Sequence, residues 1–139
     1  MDLKILEIAS HTENNKVIKN YTHQSKNKNP LCGDEMEISL IVKNNIIQDI
    51  GYQCKSCIYC QASVSLLSRS VMQAPIEKIT DFLLQASFFF NGNFDHLKKI
   101  NIKDFKDFKD FKKIMNSENI SRKECLLLPF KTLSKALEL

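Results

Sequence analysis

Two runs of the chain alternate apolar and polar positions with the period of a strand. They are MEISLIV (36–42) and IIQDIGY (46–52), and Lys43-Asn44-Asn45 between them is a turn cluster. The pattern predicts a β-hairpin with one buried face, which helices must cover. KVIKNYT (16–22) alternates more weakly and is assigned to a further strand. Helical spacing of apolar residues marks LKILEIA (3–9), with Leu3, Leu6 and Ile5 turned inward. A second helix is expected from Ser56 or Cys57 to just before Pro75, and a third from Pro75, in the first turn, to near Asn91-Gly92. CLLLPFKTLSKALEL is read as a last helix, in which Pro129 is tolerable if it falls in the first turn, where a missing N–H is harmless. The predicted fold is α+β: a small antiparallel sheet of about three strands, helices packed on one face, residues 1–139 forming a single domain.

KDFKDFKDFKK (103–113) fits this pattern least. Residues three apart on an α-helix slip by roughly 60° per step, so Ile102, Phe105, Phe108 and Phe111 spread over about half the circumference. That is wider than an ordinary buried stripe, and the segment is assigned to a solvated amphipathic helix.

Composition narrows the function classes. At 43% hydrophobic, the chain can bury one ordinary core. Its net charge of +4 comes from 20 basic and 16 acidic residues that alternate rather than cluster, which argues against a nucleic-acid partner. No uncharged run approaches the roughly 20 residues of a membrane span. MDLKILEIAS has the build of neither a secretory signal nor a transit peptide, so the protein is expected to be cytoplasmic.

The cysteines change the picture most. Five is an odd number for a disulfide scaffold, which favours reduced thiols. QCKSCIYCQAS (53–63) has C-x-x-C-x-x-C spacing, but the fourth cysteine and proline of a ferredoxin run are replaced by Val64 and Ser65. Any metal site must therefore recruit Cys32 or Cys125. Cys32 lies in NPLCGDE, where Gly33 lets the backbone bend so that a thiol and the Asp34 carboxylate can face one ion. Cys57 stands where the hairpin gives way to a helix, and Cys125 opens the last helix. Both positions favour a thiolate. His11, His23 and His96 have no partner at metal-ligand spacing and are read as surface residues.

Three blocks, NPLCGDEMEISL, SCIYCQASVSLLS and SRKECLLLPFKTLSKALE, resemble in order the iron–sulfur cluster assembly scaffolds of the IscU, SufU and NifU N-terminal family. The matching elements are the CGD loop before a hairpin, a cysteine ahead of a small-residue helix with Gln61-Ala62-Ser63, and Arg122-x-x-Cys125. The resemblance implies that Cys32, Asp34, Cys57 and Cys125 hold the metal or cofactor and that the three cysteines accept sulfur. The implied cargo is iron or a transient [2Fe–2S] cluster, with Zn²⁺ as the alternative occupant. The implied partners are a cysteine desulfurase and cluster acceptor or carrier proteins, with neither nucleic acid nor membrane. Cys54 and Cys60 fall where the family pattern needs no cysteine and are read as small core fillers. HTENN lacks the tyrosine and proline of the family's N-terminal segment, and His11 is its one counterpart. Glu124 replaces a histidine or lysine and is expected to make the site more negative. LPFK follows the third cysteine instead of preceding it, so chaperone binding is not carried over. The long separation of Cys57 and Cys125 favours the SufU-like branch. Three functions stay open: an assembly scaffold, a zinc-dependent persulfide sulfurtransferase, which would be an enzyme, and a protein with a purely structural zinc site.

Overall fold

The computed structural model describes residues 3–30, 33–90, 111, 113–114 and 117–138. A short helix, α1 (Leu3–Ala9), precedes three strands, β1 (His23–Lys28), β2 (Glu35–Lys43) and β3 (Ile46–Lys55). Then come α2 (Ile58–Val71), α3 (Ile76–Phe90), a 3₁₀ segment (Ser117–Arg122) and α4 (Lys123–Ala136). The sheet is antiparallel in the order β1-β2-β3, as the α+β expectation requires.

The β2–β3 hairpin closes through Asn44 and Asn45, at φ 55° and 59°. Two left-handed residues give the turn twist that suits a two-residue hairpin. Register then sends Met36, Ile38 and Leu40 of β2 and Ile47, Ile50 and Tyr52 of β3 into the core. α4 packs on β1 and β2, α2 on β3, and α1 and α4 flank α2.

β1 is not the strand that alternation predicts. HQSKNK pairs with β2, whereas 16–22 forms no strand and lies against the sheet instead. The Tyr52 N–H donates to the Asn14 carbonyl at 3.0 Å. A Cβ on Gly51 would meet the Lys16 carbonyl oxygen at 2.5 Å and Ile18 Cγ1 at 3.1 Å, so a glycine is needed there. Ile18 is buried by this packing, and the outer face of β3 is covered at this point rather than wholly solvated.

Within α1 the inward face is Ile5, Ile8 and Ala9, while Leu3 and Leu6 are 79% and 41% exposed. The i, i+3, i+4 stripe is the buried one, and of the predicted face only Ile5 turns inward. Phe111 corrects the solvated-helix reading at its last phenylalanine. It is fully buried, with its ring 5.3 Å from Phe82 and 5.8 Å from Phe130. Residues 103–110 of that segment lie outside the described residues. Pro129 is also not in a first turn. It lies inside α4 and is buried, so it cannot donate to the carbonyl four residues back, at Cys125. Among the described residues no helix is long and apolar enough to cross a membrane.

α2 is lined by serines instead of larger side chains, which lets its neighbours approach. The Ser63 hydroxyl donates to the Leu126 carbonyl of α4 at 2.6 Å, and the Ser65 hydroxyl to the His11 carbonyl at 2.7 Å. Ser68 accepts from Asn14 Nδ2 at 3.1 Å. Each of these three hydroxyls thus has a partner, as burial demands.

Candidate metal centre

The hairpin, α2 and α4 bring their ends together at one edge of the sheet. Before β2 the chain folds back on itself: the Gly33 N–H donates to the Asn29 carbonyl and the Asn29 N–H to the Asp34 carbonyl, both at 2.8 Å. Gly33 has φ +77°, a conformation that favours glycine. Between these closures lies Cys32, which is outside the described residues, as is His96. Asp34 leaves the loop towards the start of α2, where its Oδ2 accepts the Cys57 N–H at 3.3 Å.

Cys57 is the N-cap of α2, extended at φ −69° and ψ 167°, and its carbonyl accepts the Gln61 N–H at 3.0 Å. Its side chain caps nothing. Cys125 is the third residue of α4 and is 8% exposed. The Ser63–Leu126 bond fixes α4 against α2 beside Cys125. One turn nearer the helix starts, the Arg122 guanidinium lies over the Tyr59 ring, 5.1 Å from its centroid.

As a result, one carboxylate oxygen of Asp34 and the sulfurs of Cys57 and Cys125 all lie within 4.8 Å of one another. A tetrahedral ion with Zn–S near 2.3 Å and Zn–O near 2.0–2.2 Å wants its donors about 3.5–3.8 Å apart. The trio's limit of 4.8 Å is about 1 Å wider than that spacing. Thiolate sulfur with one oxygen is a donor set that suits zinc, iron or an iron–sulfur cluster.

The other two cysteines stand behind this trio. Cys60 is fully buried in the core, and Cys54, half-buried, faces inward from β3. Burial pushes both thiols up, and the negative groups at Asp34 and Cys57 push the same way. Ser56 Oγ, buried and without a partner at hydrogen-bond geometry, is close enough to favour both thiolates but does not overcome burial. Two thiols held protonated are weak competitors for a metal. Glu124 does not add the negative charge expected of it, because its carboxylate pairs with Lys131 Nζ at 3.3 Å. His11 and His23 are respectively exposed and bonded to Thr22 Oγ1 at 2.8 Å, away from the trio. Sequence reasoning missed Tyr59 and Ser56. An aromatic two residues after the N-cap cysteine and an arginine three before Cys125 were the available signal for the stack.

Residues 2–86 match the family described as the NifU-like N terminal domain. The chain belongs to this family, one of iron–sulfur cluster assembly scaffolds. It is 28% identical over 135 residues to the "Iron-sulfur cluster assembly scaffold protein IscU" of Thermotoga maritima, covering 96% of this chain and 89% of that protein. It is 30% identical over 131 residues to an uncharacterized protein of Borreliella burgdorferi, covering 90% and 82% respectively. The fold is shared with a putative iron–sulfur cluster assembly scaffold for the SUF system from Fervidobacterium islandicum, at TM-score 0.82 and 22% identity over 99% of this chain and 96% of that one. It is shared also with the N-terminal part of a NifU-like protein of Brucella abortus, at TM-score 0.81 and 20% identity over 99% and 91%.

Proposed function

We propose that this scaffold accepts sulfur from a cysteine desulfurase and joins it to iron as a labile [2Fe–2S] unit, which it passes to acceptor or carrier proteins. The observation that carries this reading is the meeting of Asp34, Cys57 and Cys125 within 4.8 Å, each from a different element. Cys32, two residues before Asp34 in sequence, is the fourth donor of the proposed site. Three thiolates hold the cargo, and the single oxygen contact is the weak link through which it leaves. A cleft of about 630 Å³, lined by Lys26, Lys28, Glu35, Glu37, Cys54 and Lys55 among others, lies at the start of β2 and the end of β3, next in sequence to Asp34 and Cys57. Lys26 and Lys28 are paired there with Glu37 and Glu35, so the cleft carries mixed charge.

A second reading is favoured by the fit of the trio to a tetrahedral ion: a zinc-dependent persulfide sulfurtransferase, in which one cysteine leaves Zn²⁺ to attack a persulfide. Asp34→Ala separates the two. For a cluster, removing the oxygen contact closes the exit route and slows release. For zinc, it removes one donor of four and weakens binding. The experiment reconstitutes wild type and Asp34→Ala anaerobically with iron, a desulfurase and cysteine, and in parallel titrates zinc against a chelator. Slower cluster transfer from the variant supports the scaffold reading. No cluster on wild type, with firm zinc and desulfurase stimulation that Asp34→Ala abolishes, overturns it in favour of the sulfurtransferase.

A further inference from the structure

The mechanism above leaves one chemical demand unmet and one buried nucleophile unused. Sulfur arrives on a cysteine as a persulfide, with its outer atom at the oxidation level of elemental sulfur, whereas a cluster is built from sulfide. Two electrons are required. Cys57-Ile58-Tyr59-Cys60 places a second thiol at a defined distance from the first. Cys57 is the half-buried N-cap of a 14-residue helix, and Cys60 is the fully buried third residue inside it. Helical rise and radius put α-carbons at this spacing about 5 Å apart, within the range a disulfide spans. The Cα–Cβ bond of a helical residue tilts towards the N-terminus, which leans Cys60 back towards Cys57. Ser56 Oγ, buried without a full hydrogen bond, lies close to the Cys60 sulfur. A partly accessible cysteine at a helix start with a fully buried one a turn later is the arrangement of dithiol–disulfide exchange.

We propose that Cys57 and Cys60 form a dithiol–disulfide pair that reduces a persulfide carried on Cys57 to sulfide. This rests on the reading that Cys57 accepts sulfur. The Cys60 sulfur attacks Cys57 Sγ, forming the Cys57–Cys60 bond and breaking the bond from Cys57 to the outer sulfur. The electron pair of that bond leaves with the outer sulfur as hydrosulfide, which takes the Cys60 proton and departs as hydrogen sulfide. The two thiol sulfurs are oxidised to the disulfide while the outer sulfur is reduced to sulfide. It is released beside Asp34 and Cys125, where iron would be held. An external dithiol of the thiol–disulfide oxidoreductase class resets the pair by exchange at Cys57, the accessible sulfur, before that thiolate serves as a ligand.

The test uses the full chain, reduced and metal-free, given one addition of inorganic polysulfide, then desalted into buffer without reductant. Released sulfide and alkylated peptide masses are followed with time. Wild type is expected to lose its persulfide, release one equivalent of sulfide and end with Cys57 joined to Cys60. Cys60→Ala should keep the extra sulfur atom on Cys57, with sulfide release slowed about tenfold or more, because the resolving thiol is gone. Cys60→Ser gives the same readout should the alanine variant be poorly folded, and Cys54→Ser should behave as wild type. Release from both Cys60 variants at the wild-type rate overturns the pair, as does a Cys54–Cys57 disulfide in wild type or a wild-type persulfide that persists. A parallel incubation with desulfurase and cysteine isolates the premise. Disulfide formation with polysulfide but no persulfide from the desulfurase supports the pair and overturns sulfur acceptance from that enzyme.

Discussion

Tyr59→Leu should loosen the metal centre without touching a ligand. The Arg122 guanidinium lies 5.1 Å from the Tyr59 ring centroid and links the first turn of α2, which carries Cys57, to the N-cap of α4, which leads to Cys125. Arg122 is exposed and Tyr59 half-buried, so the stack belongs at the weaker end of cation–π energies, about 0.5–1 kcal/mol. If the stack holds the two helix starts at binding distance, its loss is paid again whenever Cys57 and Cys125 close on an ion. At 1.4 kcal/mol per tenfold, zinc affinity should fall about two- to fivefold. Tyr59→Phe keeps the ring face and should stay near wild type. Competition with a chromophoric chelator reads the affinity. The double variant Tyr59→Leu/Arg122→Ala should be no weaker than the poorer single one, since both remove one interaction. Wild-type affinity in Tyr59→Leu, or a Tyr59→Phe as weak as the leucine variant, would refute the reasoning.

Burial, with Cys54 and Glu13 nearby and Arg69 opposing, pushes the Tyr52 phenol from 10.0 up to about 12. The unfolded chain therefore loses this proton first, and stability present below pH 10.0 is lost between there and about 12. The loss reaches about 2–3 kcal/mol. Urea unfolding across that range should show a smaller loss in Tyr52→Phe, and parallel curves would rule the phenol out. Phe111→Ala, which empties the contact with Phe82 and Phe130, should destabilise by about 3–5 kcal/mol. An unchanged thermal midpoint would return Phe111 to the solvated face that its repeat suggests.

The hairpin was legible because two conditions coincide there: apolar alternation on both strands, and Asn44-Asn45, which accept left-handed backbone. β1 was not, because an edge strand of HQSKNK buries little beyond Ser25, whose hydroxyl reaches the Thr132 carbonyl at 2.6 Å. Alternation reports burial rather than pairing. KVIKNYT alternates because Ile18 seats over Gly51, a contact that needs no ladder. In α1, seven residues offer two apolar faces at helical spacing, and tertiary packing chose between them. The burial of Phe111 was hidden by repetition, since a phenylalanine every three residues reads as a spread-out face instead of a core stripe. The start of α2 was legible from the change of texture after Cys57. Ser63 and Ser65 of that helix were not readable as joints, because their partners are backbone carbonyls far away in sequence.

Cys57 shows what the site costs the fold. Serine, threonine, aspartate or asparagine at an N-cap satisfies a backbone N–H and is worth about 1 kcal/mol. Cysteine gives that up, and its thiol caps nothing. The compensation comes from another element: Asp34 sets its carboxylate at the positive end of the helix, where negative charge is stabilising, and takes the Cys57 N–H on Oδ2 at 3.3 Å. A carboxylate has two oxygens. One can hold the helix start while the other faces the cargo. In the proposed site, the residue that would make the weakest contact to the cargo would also keep Cys57 in place after the cargo leaves. A scaffold must empty without coming apart, and a carboxylate divided between helix and cargo would meet that need better than a fourth sulfur, which would bind the cargo more firmly and hold the helix less.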